Sequence, residues 1–511
     1  MDSIIYILKI AAIGLYGLSL AFILVFSLTQ VQLLFRYIFL GHKYRAERRK
    51  IQAFKSLPFV TVQLPVYNEK YVGERLIDCV SQLDYPRDRF EIQVLDDSTD
   101  ETTAILQRKI QELSSVVNIK YIHRINRTGY KAGALKAGLA TARGEFIAIF
   151  DADFLPAKDF LLKCIHQFTN PRVGMVQTRW TWLNKNYSLI TRVQAFALDT
   201  HFSIEQVGRN IGKSFINFNG TGGIWRKSCI VDAGNWEADT LTEDLDLSYR
   251  AQFKNWQFVY LEEVGAPSEL PPVMSAVKTQ QYRWNKGGAE TARKHLRELM
   301  SSPLPFATKW HGVMHLLTSG MFVCVALFAV LSIPVLLIRE TNPAFSGWFK
   351  ITDLLSGGFL ILAGMFFITV MIRHKDKWSG LLSFLRNFPL FISMSMGLSL
   401  HNALAVLEGY FGKKTPFIRT PKFNVIAGSD HWAGNSYIRQ AINKLTIVEA
   451  ILVLYFLGGI LLAFYLHNYS LVVFHVLLAF GFGAIVYYTL FQHAGNLTPS
   501  SEKTANKKAM L

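Results

Sequence analysis

Cysteine is scarce in this chain, with four among 511 residues. Cys79, Cys164, Cys229 and Cys324 stand far apart, without the short spacing of a zinc site or a disulfide framework. They fit a reducing compartment and are given no role. Acidic side chains are also in deficit, 37 against 54 Lys and Arg, for a formal charge of +17. Such an excess fits either a nucleic-acid binder or a protein that meets anionic lipid. Two phosphate-binding signatures are missing. There is no G-x-x-x-x-G-K-[ST] loop and no G-x-G-x-x-G after the first strand, so neither a P-loop nor a dinucleotide-binding domain is indicated.

Long apolar runs are abundant. Half of the residues are apolar, and 38 are Phe. They are clumped near 4–28, 313–338, 354–372, 381–407, 445–466 and 471–490. A bilayer core of about 30 Å takes about 20 apolar residues in a helix, so most of these runs qualify as spans. Membrane spans set nucleic acid aside as a partner. The first run is long for a signal peptide, contains Lys9 and lacks a small-residue cleavage site, so it is expected to be retained. Its C-terminal flank, RYIFLGHKYRAERRK from Arg36 to Lys50, is strongly basic and predicts a cytosolic domain after it.

The expected layout is a membrane helix with a basic collar over 1–41, a cytosolic domain over 42–304, a membrane region over 305–494 and a polar tail over 495–511. One conflict of parity stands out. The basic stretch FGKKTPFIRTPKF, Phe411 to Phe423, should be cytosolic, but a full span over 381–407 would place it outside. Pro389 is expected to split that run into a broken or re-entrant pair. Two stretches, 188–206 and 282–300, have the pattern of helices that lie either on a membrane surface or against neighbouring protein.

The middle of the chain alternates strands and helices. Strands are predicted over 60–66, 92–95, from 118, and over 145–153. A capping box, Ser98 with Glu101, is expected to open one helix, and the small-residue run 131–144 forms another. This alternation predicts an α/β fold with a mainly parallel sheet, inserted between transmembrane helices. Ligands bind such sheets beyond the carboxyl ends of the strands. Acids sit at those ends, as Asp96-Asp97 and Asp151-x-Asp153, with Glu243-Asp244 further on. Three converging acidic groups repel one another unless a cation joins them. Mg²⁺ or Mn²⁺ with a diphosphate is the natural occupant. A lone D-x-D would more simply cap a turn; three acidic groups in this order outweigh that reading.

The order DDS, DAD, TED and Q-x-x-R-W resembles the family 2 glycosyltransferases, specifically the processive membrane synthases of cellulose, hyaluronan and mannan. The wording FNGTGGIWR, from Phe218 to Arg226, and LTEDLDLSYRA is most similar to the cellulose synthase-like mannan and glucan synthases and their bacterial relatives. The resemblance implies a GT-A domain and assigns roles. Tyr67, Glu69 and Asp97 would hold nucleobase and ribose, although Tyr67 also fits a packed strand-end aromatic. Arg127 and Lys131 would reach the donor diphosphate. Asp151 and Asp153 would hold nucleotide and metal, with Asp153 the direct ligand. Asp244 would be the general base and Glu243 its neighbour in T-E-D.

In Q-x-x-R-W, Arg283 would take a phosphate oxygen, while Gln280 and Trp284 would hold the acceptor sugar. An interfacial aromatic belt is the plainer reading of that motif. Phe218, Asn219, Gly220 and Thr221 match the acceptor-side loop. The segment near 411–425 resembles a gating loop, with Thr420 and Lys422 touching the diphosphate.

The implied activity is processive, inverting transfer from a nucleotide sugar, UDP-glucose or GDP-mannose, to a growing β-linked polysaccharide that enters a transmembrane channel. The protein would be a multi-pass one of a bacterial inner membrane. Two other readings remain: a lipid glycosyltransferase that adds one sugar, and a transporter that senses a nucleotide sugar. No C-terminal regulatory domain of the cellulose synthase kind is expected after the short polar tail.

Overall fold

The computed structural model describes residues 2–426, 430, 435–437 and 444–492. The polar tail 495–511 lies outside the described residues. A seven-stranded sheet forms the centre of the α/β domain. Its strands are β1 (Val60–Val66), β2 (Phe90–Asp96), β3 (Ile119–His123), β4 (Phe146–Ile149), β5 (Val173–Trp182), β6 (Gly223–Arg226) and β7 (Gln257–Ser268). Their order is β3-β2-β1-β4-β6-β5-β7. All neighbours run parallel except β6, which is antiparallel to β4 and β5.

The period-2 alternation sends Val60, Val62, Leu64, Phe146 and Ala148 to one core, and Ile147 and Ile149 to another on the opposite face. Both faces are covered, so even the polar positions of β1 are buried. Thr61 bonds Glu91 at 2.9 Å, and Gln63 donates to Gln93 at 3.0 Å. Buried polar groups persist only when paired in this way.

The helix Thr102–Leu113 does not open on the expected capping box. The Ser98 hydroxyl instead accepts the Asn68 N–H at 2.8 Å, and Asp100 takes the Thr102 N–H at 3.0 Å. The Asx turn of Asp100 satisfies the free backbone donor that the box was expected to serve.

Five helices are long and apolar enough to cross a membrane, beginning at Ser3, Gly320, Pro343, Lys444 and Val472. The first helix, Asp2–Arg49, runs for 48 residues, or about 70 Å at 1.5 Å per residue. It therefore continues past any bilayer into the domain. There Arg45 pairs with Glu262 at 3.0 Å and Arg49 with Glu263. Part of the basic collar thus clamps β7 and is not left free for lipid.

The run 381–407 is a bent pair, Lys377–Gly397 and Ser399–Tyr410, with a 49° angle between them. Pro389 lies inside the first helix, and the break falls at Leu398. A Cβ on Gly397 would stand 2.5 Å from the backbone of Gly481, so close helix contact fixes where the first helix ends. Both flanks of the pair touch the α/β domain. Arg373 before it donates to the Asp199 carbonyl at 3.0 Å, and Lys414 after it to the Asp239 carbonyl at 2.7 Å.

Of the two amphipathic stretches, the helix Leu189–Thr200 presents its apolar side to protein. The Phe196 ring lies 5.6 Å from both Phe366 and Phe391. The second stretch belongs to the longer helix Met274–Ser301.

Candidate active site

A cavity opens at the carboxyl ends of β1, β2 and β4. It is lined by every residue given a donor, acceptor, metal, catalytic or gating role from the sequence except Phe218 and Thr221, while Asp96 is buried behind it against Tyr121 and Thr103. Tyr67 and Glu69 follow β1, Asp97 follows β2, and Asp151 and Asp153 follow β4. Glu243 and Asp244 open the helix Glu243–Phe253, while Gln280, Arg283 and Trp284 come from Met274–Ser301.

Phe218 takes no part in the lining. Its ring is buried edge-on to Trp225 at 5.6 Å, because it packs with Ile216 and Trp225 into the apolar core on that face of the sheet. Thr221 is also buried, and its hydroxyl accepts the Asp151 N–H at 2.9 Å. It therefore supports the backbone of the D-x-D turn from behind.

On the β2 side, Arg124 grips the Asp97 carboxylate through Nε, at 2.7 Å, and through Nη2. The same guanidinium donates to the carbonyls of Thr128 at 3.1 Å and Tyr130 at 2.9 Å. One planar fork thereby fixes both an acid and the turn that carries Arg127. Arg127 lies 3.3 Å over the Tyr67 ring, a cation–π contact that makes this aromatic part of the cavity wall.

At the centre, Lys131 bonds Asp151 at 2.5 Å and the Gly220 carbonyl at 2.8 Å. Burial opposes its charge, but Asp151, Glu243 and Asp244 outweigh burial and hold its pKa above the usual lysine value. Burial, then the neighbouring Glu243, push Asp244 up to about 7, with Lys131 acting against them. Burial also raises Glu243. A carboxylate near neutrality is well matched to proton transfer. Gly220 sits at φ +79°, and a Cβ there would lie 3.1 Å from Asp244 Oδ2 and 3.4 Å from Lys131 Nζ. Only a residue without a side chain lets this loop approach the acid so closely.

Asp153 is 3% exposed. Its Oδ2 meets Lys422 at 2.8 Å, while its Oδ1 accepts no hydrogen bond among the described residues. An unpaired carboxylate oxygen beside a second carboxylate, Asp151, fits the donor set of a hard divalent cation.

A second acidic cluster, Glu237, Asp239 and Asp246, has ligand atoms within 4.8 Å of one another. Lys294 occupies it, at 2.7, 2.9 and 2.8 Å from the three acids. An ammonium already balances that cluster, so it is read as a structural ion-pair network and not as the metal centre.

The segment 411–425 reaches into the cavity. Thr420 accepts from Arg283 at 2.9 Å, Phe417 lies 4.6 Å under that guanidinium, and Arg419 pairs with Glu69 at 3.1 Å. Glu269 anchors its far end by accepting the N–H groups of Phe423 and Asn424, each at 3.0 Å. Burial drives Glu69 up to about 8 and Glu269 up to about 7. Arg124, Glu269, Phe417 and Arg419 were not among the residues read from the sequence. Phe417 and Arg419 share a basic stretch that was recognised; Arg124 and Glu269 have no local signature.

Residues 61–230 match the model described as Glycosyl transferase family 2, and residues 146–372 match Glycosyl transferase family group 2. The domain belongs to glycosyltransferase family 2. The chain is 44% identical over 274 residues to a probable glucomannan 4-beta-mannosyltransferase 4 of Oryza sativa subsp. japonica, covering 52% of this chain and 49% of that one. It is 43% identical over 266 residues to glucomannan 4-beta-mannosyltransferase 1 of Cyamopsis tetragonoloba, covering 50% and 51%. The chain thus spans about half the length of the curated relatives it matches. A solved mannosyltransferase from Pyrobaculum calidifontis, in complex with GDP-Man and Mn²⁺, is similar at a TM-score of 0.48 and 17% identity, over 77% of this chain and 100% of that one.

Proposed function

We propose that this glycosyltransferase is a processive, inverting β-glycan synthase that takes hexose from a nucleotide sugar. The gathering of Asp153, Asp244, Arg283 and Trp284 around one cavity carries the reading. The names of its plant relatives favour mannosyl over glucosyl transfer, and therefore GDP-mannose over UDP-glucose as donor.

The donor diphosphate fits between Lys131, Arg283 and Lys422, the cations that face the acids. Asp151 and Asp153 would hold Mg²⁺ or Mn²⁺, which when bound neutralises charge on the departing nucleoside diphosphate. Tyr67, Glu69 and Asp97 face the nucleoside end. Trp284 offers its ring to the acceptor sugar, with Gln280 and Asn219 beside it. As an acceptor hydroxyl oxygen bonds to the anomeric carbon, the carbon–oxygen bond to the diphosphate breaks on the opposite face. The hydroxyl proton passes to the Asp244 carboxylate, and the anomeric centre inverts. The leaving diphosphate needs no protonation, so one carboxylate suffices, unlike the paired acids of glycosidases. Glu243 keeps Asp244 basic enough to accept the proton.

The bent helix pair contacts the glycosyltransferase domain at both flanks, which supports entry and exit on one side of the membrane. Five crossings then agree with the basic collar and with a cytosolic domain.

Purified protein given labelled GDP-mannose or UDP-glucose with Mg²⁺ or Mn²⁺ should form a β-linked polymer, identified by linkage-specific digestion. Asp244→Asn should lower transfer about 10²- to 10⁴-fold while donor binding persists. Wild-type transfer by that variant would remove Asp244 as the base. A single sugar added to lipid would favour the non-processive reading.

A further inference from the structure

Two tryptophans that the mechanism above leaves unused line the same cavity. Trp180 and Trp182 stand two residues apart on β5, so both project from the same side of the strand. Their ring centroids are 6.5 Å apart at 84°. Neither indole needs a ligand for its N–H. Trp180 donates to the Thr221 carbonyl at 3.3 Å, and Trp182 to Asp199 at 2.9 Å.

Both rings are braced. Phe202 stacks on Trp180 at 5.0 Å and tilts against Trp182 at 6.1 Å, while Phe154 meets Trp180 edge-on at 5.2 Å. Each ring remains only partly buried, which leaves rigid aromatic surface facing the opening.

Position gives the pair a direction. Trp180 adjoins the reaction centre, since Phe154 follows Asp153 and the Thr221 carbonyl belongs to the turn behind Asp151. Trp182 adjoins the membrane helices, because its partner Asp199 also accepts from Arg373 at the end of the apolar helix Ser346–Arg373.

On the acceptor side of this cavity, two of its unpaired polar atoms come from uncharged amides. The Asn219 amide Nδ2 and the Gln280 carbonyl Oε1 are buried and form no hydrogen bond among the described residues. An unsatisfied donor and an unsatisfied acceptor cost free energy in a protein interior, and a ligand rich in hydroxyl groups would satisfy both. A sugar also offers apolar C–H faces that suit an indole.

We propose that Trp180 and Trp182 form a second carbohydrate subsite, which holds the sugars behind the acceptor terminus as the chain moves from the reaction centre toward the membrane helices. The ligand is a β-linked hexose oligosaccharide, so this inference rests on the synthase reading. Trp182 is a positioning residue that touches the acceptor away from the reacting atoms. The test uses the full-length protein, with hexose oligosaccharides of increasing length as acceptors.

In the wild type, acceptor KM should fall as the oligosaccharide lengthens. Trp182→Ala and Trp182→Leu should abolish that gain, raise KM for the long acceptor about tenfold, and shorten the polymer. Donor KM should stay within about twofold. Trp182→Phe, which restores an aromatic face, should recover most of the lost affinity. Trp182→Leu keeps apolar bulk, so a loss seen there in protein of wild-type melting temperature belongs to the ring face and not to folding. Wild-type product length and acceptor KM in Trp182→Leu would overturn the subsite. Failure of the wild type to form any polymer would instead overturn the synthase reading.

Discussion

Gly220→Ala is the sharpest probe of how Asp244, the proposed base, is held. The residue lies at φ +79°, where an L side chain costs roughly 1–2 kcal/mol. The new methyl would sit 3.1 Å from Asp244 Oδ2 and 3.4 Å from Lys131 Nζ. The first distance is tighter than ordinary van der Waals contact, so the carboxylate must yield by a few tenths of an ångström. Misplacement of about 1 Å costs about 10²-fold in rate, so a smaller shift is expected to lower kcat by about tenfold to 10²-fold. Donor KM should change little, because 3.4 Å from Lys131 Nζ is ordinary van der Waals contact and that lysine need not move. The strain predicts a modest drop in melting temperature. Initial rates with labelled donor, measured beside thermal unfolding, separate the two effects. The decisive comparison is a double-mutant cycle. In an Asp244→Asn background the methyl has no working base to displace, so Gly220→Ala should cost almost nothing further. A full additional tenfold loss there, or a wild-type kcat in the single variant, would refute the argument.

Four other outcomes are expected. With Asp244 at about 7, kcat/KM should fall about tenfold per pH unit below that value and level off above it, because the protonated carboxyl cannot accept the acceptor proton; a flat profile between about pH 5 and about pH 9 would oppose this. Asp153→Asn should weaken Mn²⁺ binding by at least about tenfold, as read by titration of the paramagnetic ion without donor. Lys422→Met removes a charge-assisted bond to Asp153 and should raise donor KM about tenfold, with faster proteolysis within 411–425. Glu269→Ala leaves the N–H groups of Phe423 and Asn424 without their acceptor and should destabilise the docked segment by about 1–3 kcal/mol, visible as faster hydrogen exchange at those two amides.

How much was readable beforehand depended on how local each signal was. The β-branched run from Val60 to Val66 marks β1 to the residue, and the acids at the ends of β2 and β4 marked the edge at which the cavity opens. β5, β6 and β7 went unread, because β6 is only four residues long and all three pair across long stretches of chain. The break at Leu398 could not be seen in place of Pro389. It depends on Gly397 meeting Gly481 on a helix that comes far later. Within the site, most residues that line the cavity were legible through the family resemblance of their motifs. Those that hold them were not: Arg124 is one basic residue among many until folding sets it on Asp97, and Glu269 acquires meaning only when the 411–425 segment lies across it. Phe218 was misplaced for the converse reason. A loop that touches the cavity through Asn219 and Gly220 turns its aromatic residue inward.

The two ion pairs made by Arg419 and Lys422 have a consequence for what can enter. A bare nucleotide anion would compete for the basic side chains and strand Glu69 and Asp153; a bare cation would do the reverse. Only a visitor that carries both signs, phosphate and metal together, restores every bond it breaks. Admission is therefore a swap of one balanced arrangement for another, which disfavours partial loads.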